Sequence, residues 1–140
     1  MADEITIRSS VQIRKGNLEY RPHPAYFQAD MSGTPDGPSP GALAVAVTGT
    51  NVSFSQITTP AVCRITNLDA TNFVEVGIWD GLNWYPILEI LAGESYIVRL
   101  SRNLSSEYGT GTGTSSTDVN QLQLRANTAA CNVIVEAFPA

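Results

Sequence analysis

From Ala42 onward the chain alternates apolar and polar residues with a period of two, and this pattern most limits how it can fold. In NFVEVGIW, Val74, Val76 and Ile78 would lie on one face of a strand and Glu75 and Gly77 on the other. Similar runs are ALAVAVTGT, NVSFSQI, AVCRITN, NWYPILEI, SYIVRLS, QLQLRA and CNVIVEA. No window shows a helical repeat of apolar residues. We therefore predict an all-β fold, an antiparallel β-sandwich or jelly roll, with sandwich against closed barrel left open.

The alternation also predicts which side chains face the core. We expect Tyr96, Val98 and Leu100 on one face, Leu122 and Leu124 inward, and Cys131, Val133 and Val135 inward. Asp80-Gly81 in WDGLNW is the strongest local turn signal, because glycine readily supplies the positive φ of tight hairpin turns. A second turn is expected at LAGES.

The N-terminal part has a different texture. Residues 1–21 contain the strand-like pieces EITIRS, VQIRK and LEYR, with Ile5 and Ile7, then Val11 and Ile13, at alternate positions. Five prolines and three glycines follow between Pro22 and Gly41, which excludes a helix or a central strand. We predict an extended arm or long ordered loop there. The whole chain, 1–140, is expected to form one domain, with N-terminal strands and arm in 1–41 and the sandwich core in 42–138.

Composition excludes several functions. The 140 residues carry a net charge of −5 with no long basic run, so direct binding of nucleic acid is not expected. The acidic start MADE does not suit a signal peptide, and no apolar run approaches the roughly 18 residues of a membrane span. We expect a soluble protein without a membrane partner, made and folded in a cytoplasm.

Residues for catalysis or metal binding are few. The single histidine, His23, lies between prolines, and Cys63 and Cys131 have no basic neighbour in sequence and are expected to be buried free thiols. Asp69, Glu75 and Asp80 supply only pieces of a calcium loop, and turn or cap roles explain them more simply. We predict no enzyme activity, no catalytic residues, no metal and no cofactor.

The glycine-threonine stretch EYGTGTGTSSTDVNQ, from Glu107 to Gln121, resembles a phosphate-binding loop only superficially. Thr114 stands where the last glycine of G-x-G-x-x-G would be, and the stretch leads into a strand instead of a helix. We predict a flexible polar connection between two strands, with fast hydrogen exchange at residues 109–117.

The aromatic residues Trp79, Trp84 and Tyr85 flank the Asp80-Gly81 hairpin. By alternation Trp79 lies opposite the Val74–Ile78 face, so both tryptophans do not easily share one core. Exposed aromatics can stack on sugars, and aromatics are also enriched at subunit interfaces. The aromatics can also cap the end of the core, so the sequence leaves a core role, an interface and a glycan site open, with core or interface favoured.

Two long segments resemble known proteins. They are the stretch from TTPAVCRITNLDATNFVEVGIWDG through LAGESYIVRLSR to GTGTGT, and the ending LQLRANTAACNVIVEAFPA. They resemble a group of small proteins encoded in tailed bacteriophages and related prophage regions. The resemblance covers roughly residues 58–138.

The resemblance implies a virion structural protein, either a capsid decoration protein or a component of the neck or tail, and it supplies no catalytic residues. Its expected partners are other copies of itself and virion proteins such as capsid or tail subunits, and its expected location is the virion, after synthesis in the bacterial cytoplasm. The residues add a candidate assembly arm, Tyr20, Arg21, Tyr26 and Phe27. The alternative is a virion-associated carbohydrate-binding module using Trp79, Trp84 and Tyr85.

Overall fold

The computed structural model describes residues 4–31, 37–54, 56–57, 60–101, 104 and 121–140, and these residues contain strands but no helix. Every strand pairing is antiparallel. The strands are β1 (Ile5–Ser9), β2 (Ile13–Lys15), β3 (Leu18–Tyr20), β4 (Ala25–Ala29), β5 (Ser39–Val45), β6 (Thr50–Asn51), β7 (Pro60–Asn67), β8 (Val74–Trp79), β9 (Trp84–Ile90), β10 (Ser95–Arg99), β11 (Gln121–Ala126) and β12 (Cys131–Pro139). The predicted all-β class is confirmed.

Strands β5 to β12 form two four-stranded sheets, ordered β10-β7-β12-β5 and β6-β11-β8-β9. The strands pair as in one long antiparallel ribbon folded onto itself: β5 with β12, β6 with β11, β7 with β10, and β8 with β9. This order is the topology of a jelly roll. It decides between the two architectures that the sequence left open, because two separate sheets with free edges form a sandwich and not a closed barrel.

The core lies between the two sheets. Fully buried side chains come from both of them, including Val74 and Leu124 from one sheet and Val133 and Val135 from the other. Phe54, just after β6, is also fully buried. The predicted inward rows of β8, β11 and β12 are therefore confirmed. They are buried because alternate residues of each inner face interdigitate with the facing sheet.

The predicted row on β10 is only partly buried. Val98 and Leu100 pack against the core, whereas Tyr96 is 44% exposed. β10 is an edge strand, and the Tyr96 hydroxyl donates to Glu94 Oε2 at 3.1 Å, so the ring stays at the rim of the sandwich.

The Pro/Gly-rich segment differs from the predicted arm or loop. It contains β4, which pairs with β1, and the start of β5 at Ser39, so the boundary predicted at residue 41 falls inside a strand. Neither strand is central: β4 belongs to a two-stranded sheet and β5 is the edge of its sheet. Pro40 is tolerated because an edge strand can leave one backbone position without an N–H donor.

The hairpin turn at Asp80-Gly81 forms as predicted. Gly81 has φ +94°, and Asp80 Oδ1 accepts hydrogen bonds from the backbone N–H groups of Leu82 at 2.8 Å and Asn83 at 2.6 Å. The N–H groups of Asn83 and Leu82 lower the pKa of the Asp80 carboxyl by stabilising its charged form. Asp69 makes the same kind of turn with Thr71 and Asn72, which agrees with the turn roles predicted for both carboxylates.

In the described ranges there is no apolar helix long enough to cross a membrane.

Candidate assembly surface

The N-terminal hairpin, β2 and β3, has an apolar face that no described residue of the chain covers. Ile13 pairs with Tyr20 and Lys15 with Leu18, so these four side chains share one face, while Arg14 and Glu19 share the other. Ile13 is 46% exposed, Tyr20 53% and Leu18 58%, and Val11 just before β2 is also exposed. A two-stranded hairpin is at best marginally stable alone in water. The hairpin face, defined as Ile13, Leu18 and Tyr20, is therefore the first candidate contact surface.

Tyr20 and Arg21, both predicted for the assembly arm, lie at the end of this hairpin. Arg21 Nε forms an ion pair with Glu19 Oε1 at 3.1 Å, and both side chains are more than half exposed. An exposed pair of this kind contributes at most about 1 kcal/mol. Arg21 therefore remains available to a partner, and Tyr20 supplies the aromatic part of the hairpin face.

Tyr26 and Phe27, the other two predicted arm residues, point to opposite faces of the β1–β4 sheet. Phe27 pairs with the buried Ile7, and the Arg99 guanidinium of β10 lies 5.7 Å from the centre of its ring. Phe27 thus ties the arm to its own sandwich. Tyr26 is exposed beside Arg8, whose guanidinium lies 5.7 Å from its ring. The two rings do not act together as partner anchors, and that hypothesis now applies to Tyr26 alone.

Trp79 and Trp84 lie directly opposite each other on the outer face of their sheet, at the end of the β8–β9 hairpin. Arg125 of β11 joins them: its guanidinium lies 4.6 Å from the centre of the Trp84 ring and 5.6 Å from that of Trp79. Arg125 Nε also donates to Gln123 Oε1 at 2.8 Å. Because a cation over an indole face is attracted to the ring, this cluster is held together without other partners.

The sequence placed Trp79 opposite the inward row of β8, and the structure agrees. The structure places Tyr85 away from the two tryptophans, because Tyr85 pairs with Ile78 on the other face of the sheet. The role of Arg125 was missed. Alternation in QLQLRA already puts Arg125 outward, but only the pairing of β11 with β8 places it near the two indole rings.

The edge strands β9 and β10 expose a second apolar surface on one side of the sandwich. We call it the β9–β10 side and define it by Tyr85, Ile87, Leu88 and Tyr96, all of them exposed. The turn Leu91–Glu94 joins the two strands, with Glu94 N–H donating to Leu91 O at 3.0 Å. Hydrogen bonding to Glu94 raises the pKa of Tyr96, and the charges of Glu94 and Glu89 add to the effect, so this side is acidic as well as apolar.

The residues considered for catalysis are not arranged for it. His23 is exposed in the segment before β4, and Cys63 and Cys131 are buried free thiols. Cys63 lies opposite Ala137 on β12, roughly 20 Å along that strand from Cys131 at the usual rise per residue. Burial raises the pKa of Cys63 to about 12, which leaves little thiolate near neutral pH. Among the described residues, no three His, Cys, Asp or Glu side chains form a group that could hold a metal ion.

The predictions for the glycine-threonine stretch fall on residues 107–120, which lie outside the described part of the chain. They remain predictions.

No protein-family model, curated protein or solved structure matches the chain.

Proposed function

We propose that this protein is a non-enzymatic structural component of a bacteriophage virion, present in many copies on the capsid or in the neck or tail. It assembles with itself and with other virion proteins through its N-terminal hairpin and the edges of its sheets. The observation that carries the proposal is the uncovered hairpin face of Ile13, Leu18 and Tyr20.

Energetics support a partner for this face. Burying one large apolar side chain completely contributes about 1.5–3 kcal/mol, so covering three side chains that are about half exposed contributes about 2–4 kcal/mol. Association costs at least about 4 kcal/mol, so the hairpin face would act together with contacts beside it. A chain that worked alone would gain nothing from exposing these residues on a hairpin whose two strands, among the described residues, pair only with each other. The hairpin is better explained as a segment that becomes buried in an assembly.

The fold is compatible with this role without proving it. Jelly rolls form viral capsid domains and also lectins, so the fold class permits both an assembly protein and a glycan-binding module. The resemblance of residues 58–138 to small phage proteins favours the assembly role.

The first test measures the mass of the full chain by light scattering across a range of concentrations. We expect oligomers, and we expect monomers from the Ile13→Ser, Leu18→Ser, Tyr20→Ser variant. The matched control is Val47→Ser, Leu68→Ser, which removes exposed apolar groups elsewhere and should leave the mass unchanged. A parent that stays monomeric, or a hairpin variant that still assembles, would contradict the hairpin's role.

The virion part of the proposal needs a separate measurement. Mass spectrometry of purified phage particles from the genome that encodes the chain should find it in multiple copies. Its absence from intact particles would refute the virion assignment even if the isolated chain forms oligomers.

A glycan-binding module is the second candidate, supported by the shared outer face of Trp79 and Trp84. Arg125 weakens this reading because it already lies over both indole rings. A titration with soluble glycans should change the tryptophan fluorescence of the parent but not of Trp84→Ala if sugars bind there. No change with any glycan would remove this alternative.

A further inference from the structure

Charge is unevenly distributed between the N-terminal hairpin region and the rest of the chain. Residues 8–29 carry four cations (Arg8, Arg14, Lys15 and Arg21) and one carboxylate (Glu19), a formal charge of +3. The other residues, 1–7 and 30–140, carry four cations and twelve carboxylates, a formal charge of −8. Two hairpins of this positive charge repel each other. An acidic surface is therefore a more favourable partner for the hairpin face than a second hairpin.

The β9–β10 side combines exposed apolar residues with the carboxylates of Glu89 and Glu94, whose charges act on Tyr96. Glu89 lies directly opposite Glu75 of β8, and like charges in that position destabilise a sheet. Glu75 has Arg125 of β11 directly opposite it on its other side, whereas Glu89 has no ion pair among the described residues. Glu94 lies at the start of β10 and adds a third negative charge nearby.

The chain's own hairpin does not cover this side. β2 and β3 pair only with each other, and the hairpin face and the β9–β10 side are both exposed in the same molecule. The β9 edge is also partly blocked against simple extension by a further strand, because Pro86 lacks an N–H and a bulge lies beside it. Packing of an apolar hairpin face on the exposed side chains avoids both obstacles.

We propose that the N-terminal hairpin of one copy docks on the β9–β10 side of a second copy. Ile13, Leu18 and Tyr20 pack on the apolar residues of that side, and Lys15, which lies on the same hairpin face, approaches Glu89. The inference rests on the proposed assembly role and specifies the partner surface within it.

This contact joins two different surfaces, so it is head-to-tail. Repeated head-to-tail contacts close into a ring when the rotation between subunits permits, and otherwise continue as a helical filament. A symmetric dimer, in which each hairpin docks on the β9–β10 side of the other copy, is a second closed arrangement.

A charge exchange tests the contact in the full chain. Lys15→Glu and Glu89→Lys are each expected to raise the dissociation constant by about tenfold, because each places like charges in contact. The double variant restores the opposite charges and is expected to return to within about threefold of the parent. An equimolar mixture of the two single variants should form more oligomer than either alone. Asn132→Lys adds a positive charge at an exposed position on β12 of the other sheet and should have little effect.

Analytical ultracentrifugation gives the dissociation constants, and near-UV circular dichroism checks that each variant is folded. If Lys15→Glu and Glu89→Lys weaken assembly but the double variant does not recover, the two residues do not meet and the inference is wrong. If the hairpin serine variant is monomeric while Glu89→Lys assembles normally, the hairpin binds elsewhere, which overturns this inference and leaves the assembly role intact. A monomeric parent overturns both.

Discussion

Asn67 is the buried polar residue that holds the end of β7 to two other segments. Its side chain is 1% exposed, and Nδ2 donates to Asn72 O at 2.8 Å and to Ile90 O at 3.1 Å. Oδ1 accepts from the Asp69 N–H at 3.0 Å. One amide thus joins β7, the connection to β8 and the end of β9, where the chain passes between the two sheets.

Asn67→Asp is expected to lower the free energy of unfolding by about 2–4 kcal/mol at neutral pH. The carboxylate has nearly the same shape but cannot donate to Asn72 O or Ile90 O, and it buries a charge. Urea unfolding measures the change. Asn132→Asp, at an exposed position on β12, is the matched control and should change stability little. Equal stability of Asn67→Asp and the parent would show that these hydrogen bonds contribute nothing.

Cys63 makes stability depend on alkaline pH. Burial, with the nearby charge of Glu136, raises the pKa of its thiol from 9.0 to about 12. Between these values the unfolded chain releases the proton while the folded chain keeps it, so the contribution is complete below pH 9 and is lost as pH rises toward 12.

The free energy of unfolding should therefore fall more steeply above pH 9 in the parent than in Cys63→Val. The difference in slope is at most about 1.4 kcal/mol per pH unit. Denaturant unfolding of both proteins between pH 8 and 11 measures this difference in slope, and all other ionisable side chains are the same in both proteins. Parallel curves would mean that the folded thiol ionises normally.

At the scale of elements, the β8–β9 pair depends on Gly77. The register shifts between Val76 and Gly77, which brings the β9 backbone close to this residue. A Cβ at Gly77 would collide with Tyr85 O and lie 2.8 Å from both Pro86 Cα and Trp84 Cη2. Two of these three neighbours are backbone atoms, so they cannot move aside cheaply.

Gly77→Ala is expected to destabilise the protein by about 1–3 kcal/mol and to disturb the tryptophan cluster, because the methyl group pushes on both β9 and the Trp84 ring. Thermal unfolding and the tryptophan emission maximum measure the two effects. Gly93→Ala, also in the sandwich but with open space around its Cβ, controls for the loss of a glycine, although its φ of +78° adds some strain of its own. A Gly77→Ala protein with unchanged stability and emission would show that β9 is free to shift.

At the scale of the whole molecule, the jelly roll and the N-terminal hairpin are separable in stability. The core side chains come from the sandwich, whereas the hairpin face is exposed in the single chain. We therefore expect the hairpin to have little influence on the folding of the subunit.

The Ile13→Ser, Leu18→Ser, Tyr20→Ser variant is expected to unfold within about 0.5 kcal/mol of the parent when both are monomeric, because exposed substitutions seldom matter more. Dilution to concentrations where the parent dissociates, followed by denaturant unfolding, makes the comparison. A large loss of stability in the dilute variant would place the hairpin face against its own sandwich.

Much of the sandwich could be predicted from the sequence. Alternation identified the buried rows of β8, β11 and β12, and Asp80-Gly81 identified the β8–β9 turn, because both signals depend on residues close together in the chain. β4 was missed within the proline-rich segment. Its partner β1 lies about twenty residues earlier, and no local pattern in AYFQA indicates that pairing.

The candidate surfaces were predictable only in part. Tyr20 was identified as an arm residue. The sequence did not show which of Tyr26 and Phe27 faces the sandwich, and only the pairing of β4 with β1 did so. The approach of Arg125 to Trp79 and Trp84 also depends on strands that are distant in the sequence.

By itself the sequence determined the all-β class, the inward rows, the tight turns and the burial of both cysteines, since each follows from side-chain period or local backbone preference. Only the tertiary structure decided the jelly-roll order of the sheets, the opposite facing of Tyr26 and Phe27, and the acidic apolar side formed by β9 and β10. The physical reason is that strand order depends on how well the faces of whole sheets pack together. Which strands lie at the edges, and so which of their side chains are exposed, is decided only when all the strands have paired.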